Sequence, residues 1–241
     1  MDRATLGGYA HLSWGEALLD LPNYPEICVE KSISYMDVER ITRVFDVGCG
    51  LGRSSFELAR YFDEVTAIDP SSHMIRDALK LKESGRLLYE VLEEGEIMRK
   101  CEVELNRFGL VHASKKVNFW QADPSMLKPL FRNYDLIFSL LLLERIPDPV
   151  GFLKLLSTRV VKGGYVVLGT AYSWNGSITP KERWVGGYLL DGKAYSSFKG
   201  IENILMPDFR LLACEDIPLL FYKHAREYTY MVTQLSIWER V

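Results

Sequence analysis

The segment that most constrains the fold is residues 44–55, which read VFDVGCGLGRSS. Apolar residues lead to Asp46, three glycines then alternate with other residues, and a helix-like run over residues 54–62 follows. A second apolar run, residues 65–69, also ends in an acid, Asp69. A strand, a glycine turn, a helix and a strand ending in Asp hold a nucleoside in open α/β sheets. The sequence therefore predicts a nucleoside site at the carboxyl ends of parallel strands.

The spacing of the glycines indicates which nucleoside is bound. Gly48, Gly50 and Gly52 give the pattern D-x-G-x-G-x-G-R, whereas dinucleotide sites read G-x-G-x-x-G and place a pyrophosphate on the helix N-terminus. Asp46 would repel a pyrophosphate but can pair with an ammonium group or with water. The pattern resembles the first motif of class I S-adenosylmethionine (SAM) methyltransferases, whose cofactor carries an amino acid. A plain strand-to-helix turn, with glycines only for packing, is the alternative.

This resemblance implies that SAM binds across the strand ends and leaves as S-adenosylhomocysteine. Asp69 is then the acceptor for both ribose hydroxyl groups, because one carboxylate can accept two hydrogen bonds. Asp123 resembles the acid that accepts the adenine amino group in SAM enzymes. The predicted cofactor-binding residues are Asp46, Gly48, Gly50, Gly52, Arg53, Asp69, Met74, Ala122, Asp123 and Ser139.

Length, charge and cysteine placement narrow the class of protein. A chain of 241 residues with 48% hydrophobic content suits one domain, residues 1–241. The net charge of −3 argues against a surface that coats nucleic acid. No apolar run reaches the roughly 18 residues that a membrane span needs, and no signal peptide is evident. The four cysteines and four histidines show no metal-ligand spacing, so we expect a cytoplasmic protein without a metal, a nucleic-acid partner or a membrane partner.

Three segments lie outside the minimal nucleoside-binding unit. Residues 1–40 are rich in aromatic side chains, and we expect them to cap the cofactor, with a helix over residues 26–36. Residues 83–113 form an insertion with many interleaved charges, for which we expect an exposed helix or loop. Residues 171–200 begin as a long aromatic loop at the ligand edge of the sheet. Long ordered loops of that kind are usually functional.

The other apolar runs complete the predicted fold. We expect helices over residues 71–88, 152–160 and 197–205, and strands over residues 117–123, 134–139 and 165–170. Strand-like runs at residues 210–216 and 227–238 fit a closing antiparallel hairpin. The predicted fold class is α/β, a Rossmann-like class I methyltransferase fold with a seven-stranded, mostly parallel sheet and a C-terminal antiparallel hairpin.

A narrower resemblance covers nearly the whole chain. Its strongest part is residues 179–187, TPKERWVGG; it also includes Ser173-Trp174, RIPDP at 145–149, PDF at 207–209 and SIWER at 236–240. These strings are similar to the C-terminal methyltransferase domain of ovothiol synthase. The resemblance implies SAM-dependent N-methylation of the 5-mercaptohistidine imidazole, at the ring nitrogen nearer the side chain. The iron-dependent sulfoxide synthase that precedes that domain in its best-known arrangement is absent from this sequence. We therefore expect a separate sulfoxide or selenoxide synthase to supply a thiol or selenol substrate.

Aromatic and charged residues at the cap and the strand ends are the candidates for substrate binding: Tyr9, Trp14, Tyr24, Glu144, Arg145, Tyr172, Trp174 and Trp184. We expect Arg145 to bind the carboxylate of the amino acid in a two-pronged contact and Glu144 to receive its amino group. Aromatic rings would clamp the imidazole by stacking. Glu144, Arg145 and Tyr172 form the predicted catalytic group.

Several alternatives stay open from the sequence. Glu144 and Arg145 could form a salt-bridged surface pair, and any of the aromatic residues could simply pack against the sheet. The functional alternatives are a methyltransferase that acts on histidine within a peptide and a SAM-binding partner subunit without catalysis of its own.

Overall fold

The described structure is a computed structural model and covers residues 2–241. The helices in this range are α1 (Arg3–Trp14), α2 (Tyr24–Ile33), α3 (Arg53–Tyr61), α4 (Ser72–Ser84), α5 (Pro149–Leu156) and α6 (Ser197–Leu205). The strands are β1 (Arg43–Val47), β2 (Glu64–Asp69), β3 (Arg86–Glu94), β4 (Ile97–Glu104), β5 (Val117–Gln121), β6 (Tyr134–Leu140), β7 (Val160–Thr170), β8 (Tyr188–Leu190), β9 (Lys193–Tyr195), β10 (Phe209–His224) and β11 (Glu227–Arg240).

Seven of these strands form the central sheet in the order β10-β11-β7-β6-β1-β2-β5. Strands β5, β2, β1, β6 and β7 run parallel to one another, whereas β11 is antiparallel to both β7 and β10. The predicted fold class, with its mostly parallel sheet and closing antiparallel pair, is therefore confirmed. Because β1 has β2 on one side and β6 on the other, its carboxyl end is the point where chain order reverses, which is where open α/β sheets bind ligands.

Both faces of the sheet are covered, which explains its continuous apolar strands. Successive residues of β1 point to opposite faces: Val44 packs in the layer under α1 to α4, and Phe45 packs in the layer under α5 and α6. The same alternation places Phe138 and Ile137 of β6 in the two layers. The core thus fixes the strand ends on which the site is built.

The expectation of an exposed helix or loop over residues 83–113 is wrong. The segment contains the antiparallel hairpin β3–β4. Its charges lie on the outer face, while Leu87, Val91 and Val103 are buried against the body. Helix α4 ends at Ser84 and does not reach residue 88, because Gly85 adopts a left-handed conformation (φ 70°) that ends the helix.

The cap also differs in detail from the prediction. The sequence indicated one helix over residues 26–36, but α2 begins at Tyr24, with Asn23 as its N-cap and Pro25 in its first turn. A preceding helix, α1, was not predicted. It packs closely on the hairpin and on β10, because Gly7 and Gly8 present no side chain to the backbone of these strands.

Smaller differences concern the ends of other elements. The expected 152–160 helix is α5, which ends earlier, at Leu156. The expected 165–170 strand is β7, which begins earlier, at Val160, and includes Gly163 with φ 74°. The segment 171–200 contains the small hairpin β8–β9 in addition to a loop.

No helix within residues 2–241 combines the length and the apolarity needed to cross a membrane.

The close packing of α1 yields a test. A Cβ added at Gly7 would lie 2.3 Å from the carbonyl oxygen of Glu90, so Gly7→Ala forces α1 away from β3. In an undocked helix the same change would stabilise by about 1 kcal/mol, since Ala is the better helix former. We expect a net loss of about 1–3 kcal/mol in the free energy of unfolding, as overpacking costs that much. Urea denaturation measures it, with Gly176→Ala, in open space, as the control; stabilisation by Gly7→Ala would show that α1 is not docked.

Candidate functional site

The glycine loop between β1 and α3 has a backbone that only glycine adopts easily. Gly48, Gly50 and Gly52 have φ values of 83°, 53° and 82°. A Cβ at Gly52 would lie 2.6 Å from the ring of Phe119, whereas one at Gly50 would meet nothing within 4 Å. The amides of Gly48 and Cys49 both donate to the carbonyl of Ile68, at 2.8 and 3.0 Å. The loop is therefore tied to β2 and open on its other side.

That open side borders a cavity of about 210 Å³ at the carboxyl ends of β1, β2 and β6. Its walls come from the glycine loop, the segment after β2, the segment after β6 and the cap. Of the predicted site residues, the cavity is lined by Tyr9, Tyr24, Gly48, Gly50, Arg53, Asp69, Met74 and Arg145. Residues of the cap and of the strand ends thus line one space.

Asp69 lies at the rim of this cavity, at the end of β2. One carboxylate oxygen accepts the amide of Gly50 at 3.1 Å, and the other accepts the amide of Ser71 at 2.8 Å. Burial raises the pKa of Asp69, while these two bonds oppose the rise. Each oxygen retains a second lone pair. The carboxylate is held in place and can still accept two hydroxyl groups.

Asp46 lies behind the loop and does not line the cavity. Its side chain is 1% exposed, and its Oδ2 accepts the hydroxyl groups of Ser54 and Ser55, both at 2.6 Å. Burial raises the pKa of Asp46 to about 6, against the two serine bonds. The carboxylate therefore holds the first turn of α3 beneath the loop. Any effect on a ligand passes through that turn.

Arg53 lines the cavity, but its guanidinium is already engaged. The side chain is 2% exposed and donates to Glu57 and Glu26, both at 2.8 Å. It also lies over the rings of Phe108 and Trp14, at 4.5 and 5.0 Å. Arg53 therefore joins the glycine loop to α1, α2 and the end of the insertion. The spacing of Arg53 and Glu57 is a helical i, i+4 pair, a signal that the sequence analysis did not use.

Besides Asp46 and Gly52, three further predicted cofactor residues do not line the cavity: Ala122, Asp123 and Ser139. The Ala122 amide donates to the carbonyl of Asp69 at 3.2 Å. Asp123 is exposed, and its side chain accepts the amide of Ser125 at 2.8 Å. Ser139 donates to the carbonyl of Val47 at 2.9 Å, which joins β6 to β1. Their polar groups thus serve the scaffold of the site.

Glu144 and Arg145, the predicted pair, lie in one short turn after β6, but their side chains have different surroundings. Glu144 is 2% exposed and accepts the hydroxyl of Thr170 at 2.7 Å and the amide of Ala171 at 3.0 Å. Burial raises the pKa of Glu144. It does not line the cavity, so the structure does not place it to receive a substrate amino group. Nor do the two form a salt-bridged surface pair, since within residues 2–241 no carboxylate forms an ion pair with Arg145.

Arg145 faces the cavity from the same turn. Its guanidinium carbon lies 5.0 Å from the centre of the Tyr9 ring on α1, a cation–π arrangement. Partial desolvation by the cavity wall lowers the pKa of Arg145, although the residue as a whole is exposed to solvent. The group still carries its charge at neutral pH, because an arginine does not deprotonate in proteins. A charged donor without a carboxylate partner is therefore available to an anionic ligand.

The predicted aromatic residues separate into two groups. Tyr9 and Tyr24 line the cavity, and the buried hydroxyl of Tyr24 has no hydrogen-bond partner among the described residues. Trp14 packs against Phe56 and Phe108 outside it. Tyr172 donates to Gln234 at 2.5 Å, and Trp174 stacks on Trp184 with ring centres 6.0 Å apart; none of these three lines the cavity.

Some residues on the cavity wall were not singled out from the sequence. They include Leu12 and Ser13 of α1, Leu140 at the end of β6, and Leu141, Leu142 and Ile146 after it. Only the position of the last four at or after the end of a parallel strand could have indicated them. Cys49 also lines the cavity, and burial raises its pKa well above the usual value, so its thiol is unreactive. Among residues 2–241, no three His, Cys, Asp or Glu side chains converge in a group that could hold a metal ion.

Comparison with protein families identifies this domain. A family model described as a methyltransferase domain matches residues 15–199. The chain belongs to this family. It is a class I SAM-dependent methyltransferase domain, and the expectation drawn from residues 44–55 is confirmed at that level.

Individual relatives agree with this assignment. The probable S-adenosylmethionine-dependent methyltransferase CRG1 of Saccharomyces cerevisiae is 39% identical over 66 residues, 27% of this chain and 22% of the yeast protein. The match thus spans about a fifth of that relative. The N-methyltransferase NodS of Bradyrhizobium japonicum, solved with S-adenosyl-L-homocysteine, has a TM-score of 0.58 at 13% identity over 99% of each chain. The N-terminal domain of EvdMO1, also with S-adenosyl-L-homocysteine, has 0.55 at 15% over 100% of this chain and 98% of that one. Both structures share the fold.

The cavity residues of the methyltransferase fit SAM. The space in front of Gly50 would admit a ligand against the backbone, and Asp69 keeps acceptor capacity for a ribose diol. Met74 offers an apolar side chain on the same wall. Asp69 and the glycine loop are therefore the residues that would hold the cofactor.

Asp69→Ala tests this assignment. The change removes the acceptor for two hydroxyl groups, and hydrogen bonds to charged groups contribute about 1.5–3 kcal/mol each. We expect SAM affinity to fall by about a hundredfold or more, measured by calorimetry on folded protein. Asp63→Ala is the control, because Asp63 is an exposed acid that pairs with Lys116 at the start of β2. Wild-type affinity in Asp69→Ala would refute the ribose role.

Asp46 provides a pH test of the buried carboxylate. Its pKa in the fold is about 6 and its ordinary value is 3.8, so the protonated form is favoured by folding. The stability that this preference contributes is complete below the ordinary pKa and is lost as pH rises through about 6. Relative to Asp46→Asn, we expect the ligand-free wild type to lose about 2–2.5 kcal/mol of unfolding free energy between pH 4 and pH 7. Urea denaturation of both proteins measures it, and a pH-independent difference would contradict it.

Proposed function

We propose that this methyltransferase transfers a methyl group from SAM to the imidazole of free 5-mercaptohistidine or its seleno analogue, at the ring nitrogen nearer the side chain. The motif resemblance to the methyltransferase domain of ovothiol synthase supplies the substrate class. The observation that carries the proposal is Arg145, a charged side chain on the cavity wall beside an aromatic ring and without a carboxylate partner among residues 2–241.

Arg145 suits the carboxylate of a free amino acid. A guanidinium can donate two parallel hydrogen bonds to a carboxylate, and such pairs set orientation as well as affinity. The ring of Tyr9, which the guanidinium already contacts, offers a flat surface beside that carboxylate site. Together they match a small molecule that has a carboxylate at one end and a flat ring at the other.

The helices that wall the site support a free amino acid over a peptide. Helix α1 roofs the cavity with Tyr9 and Leu12, and it is docked by the glycine pair on β3 and β10. The salt bridge from Arg53 to Glu26 ties α2 to the glycine loop below. An extended peptide needs a longer groove than a single amino acid does, and α1 and α2 limit the space beside Arg145 and the glycine loop.

For methyl transfer, the protein mainly has to align the substrate nitrogen with the methyl group and exclude water. When bound, SAM supplies a methyl group on a sulfonium and leaves as S-adenosylhomocysteine. A neutral ring nitrogen has the lone pair that forms the new N–C bond, and the ring then loses its extra proton to water. Because sulfur or selenium is the softer nucleophile, the orientation set by Arg145 and Tyr9 decides which atom is methylated. Glu144 has no part in binding here, because its carboxylate is bonded to Thr170 and Ala171.

The substrate must be made elsewhere. In this proposal an iron-dependent sulfoxide or selenoxide synthase, acting as a separate enzyme, inserts the chalcogen into histidine before methylation.

The direct test is incubation with SAM and mercaptohistidine. We expect one added methyl group, located by mass spectrometry and NMR on the ring nitrogen nearer the side chain. A histidine-containing peptide assayed beside it should remain unmodified. Turnover of the peptide without turnover of the amino acid would overturn the proposal in favour of a protein-histidine methyltransferase.

Arg145→Met tests the carboxylate contact. Loss of a charge-assisted pair of bonds should raise the KM for the amino acid by about a hundredfold. The melting temperature should change little, because Arg145 has no ion-pair partner within the described residues. Arg76→Met is the matched control, since Arg76 is an exposed arginine paired with Asp77. An unchanged KM together with a lowered melting temperature would show that Arg145 is structural.

A further inference from the structure

Residues 179–187, the strongest part of the family resemblance, do not line the cavity. It belongs to a loop that we call the motif loop, residues 171–187. The indole N–H of Trp184 donates to the carbonyl of Thr179 at 2.9 Å, and that of Trp174 donates to Ser197 at 2.8 Å. The two indole rings stack on each other. These bonds and the ring stacking hold the two tryptophans of the motif loop, one against the loop's own backbone and the other against the start of α6.

One buried contact joins this unit to the substrate side of the cavity. The Thr179 side chain is 0% exposed, and its hydroxyl donates to the carbonyl of Ile146 at 2.8 Å. Ile146 directly follows Arg145 and lines the cavity. A second link, from Arg183 to Asp148 at 3.5 Å, is exposed and long, so it contributes little. At the start of the loop, the amide of Ala171 also donates to Glu144 at 3.0 Å. The threonine bond is thus the buried polar link that residues 179–187 themselves make to the segment after Arg145.

The turn that carries Arg145 needs such support. It is a single 3-10 turn, Leu143–Arg145, in which the Arg145 amide donates to the carbonyl of Leu142 at 2.8 Å. Leu141, just before it, has φ 53°, a conformation that costs free energy in a residue other than glycine. Short turns with strained neighbours keep their conformation only when the surroundings impose it. Thr179 supplies such a constraint on one side, and Glu144, bonded to Thr170, supplies it on the other.

We propose that Thr179 is a positioning residue for substrate recognition: its hydroxyl fixes the carbonyl of Ile146 and thereby holds Arg145 at the cavity wall. This inference rests on the proposed function where it concerns the substrate carboxylate. Thr179 touches neither substrate nor cofactor. The motif loop thus supports the turn Leu143–Arg145, which we call the arginine turn. This role explains why the resemblance is strong in residues that lie outside the cavity.

Thr179→Val removes the hydroxyl with little change of shape and leaves the Ile146 carbonyl without its donor. We expect the KM for the amino acid to rise by about tenfold, since small displacements of a positioning group are costly. A substrate analogue that lacks the carboxylate should have the same KM with Thr179→Val and wild type. Thr179→Ser keeps the hydroxyl and should restore the wild-type KM. Ser177→Ala, which removes a hydroxyl bonded only within the same loop, should have no effect.

Hydrogen exchange of residues 140–149 gives a readout that needs no substrate. With Thr179→Val, the amides of this segment should exchange at least several-fold faster than in the wild type, while Ser177→Ala leaves them unchanged. Wild-type exchange in Thr179→Val, or an equal rise in KM for the analogue without a carboxylate, would overturn the inference. If the wild type does not methylate mercaptohistidine, the proposed function fails, and the exchange measurement alone decides whether Thr179 holds the arginine turn.

Discussion

The left-handed backbone of the glycine loop is the constraint on which the rest of the site depends. A residue with a Cβ in that conformation costs about 1–2 kcal/mol, and at Gly52 it would also collide with Phe119. The loop reverses the chain directly above β1, so that α3 begins beneath it and the amide of Gly50 reaches Asp69. The cavity exists because this turn is tight and its outer side is left open.

Around the glycine loop, charged side chains differ in whether they have a hydrogen-bonding partner inside the protein. Arg53 and Glu144 look equally available in the sequence, yet both are buried and fully engaged, with Glu26 and Glu57 in one case and with Thr170 and Ala171 in the other. Arg145 has no such partner within residues 2–241. Because a buried charge is costly to leave unpaired, Arg53 and Glu144 are engaged and build the scaffold, whereas Arg145 is exposed to solvent and stays free for a ligand.

The sequence predicted the features that follow from local pattern. Continuous apolar runs ending in Asp46 and Asp69 indicated parallel strands, and the glycine spacing indicated the turn between them; the sheet and the family bear this out. The insertion was misjudged because its charges hid an alternation that buries Leu87, Val91 and Val103 on one face. The directions of the side chains could not be predicted from the sequence, since Glu144 and Arg145 are adjacent in one 3-10 turn and face different surroundings. The role of Trp174 depends on Ser197, 23 residues further along the chain, and no local pattern specifies that contact.

The central claim is that one space at the strand ends receives the nucleoside through Asp69 and the substrate carboxylate through Arg145. A crystal structure of the methyltransferase with S-adenosylhomocysteine and mercaptohistidine tests it most directly. The account predicts both ribose hydroxyl groups within hydrogen-bond distance of the Asp69 carboxylate and the amino-acid carboxylate on the Arg145 guanidinium. An adenosine bound elsewhere, or a substrate carboxylate that faces away from Arg145, would contradict it.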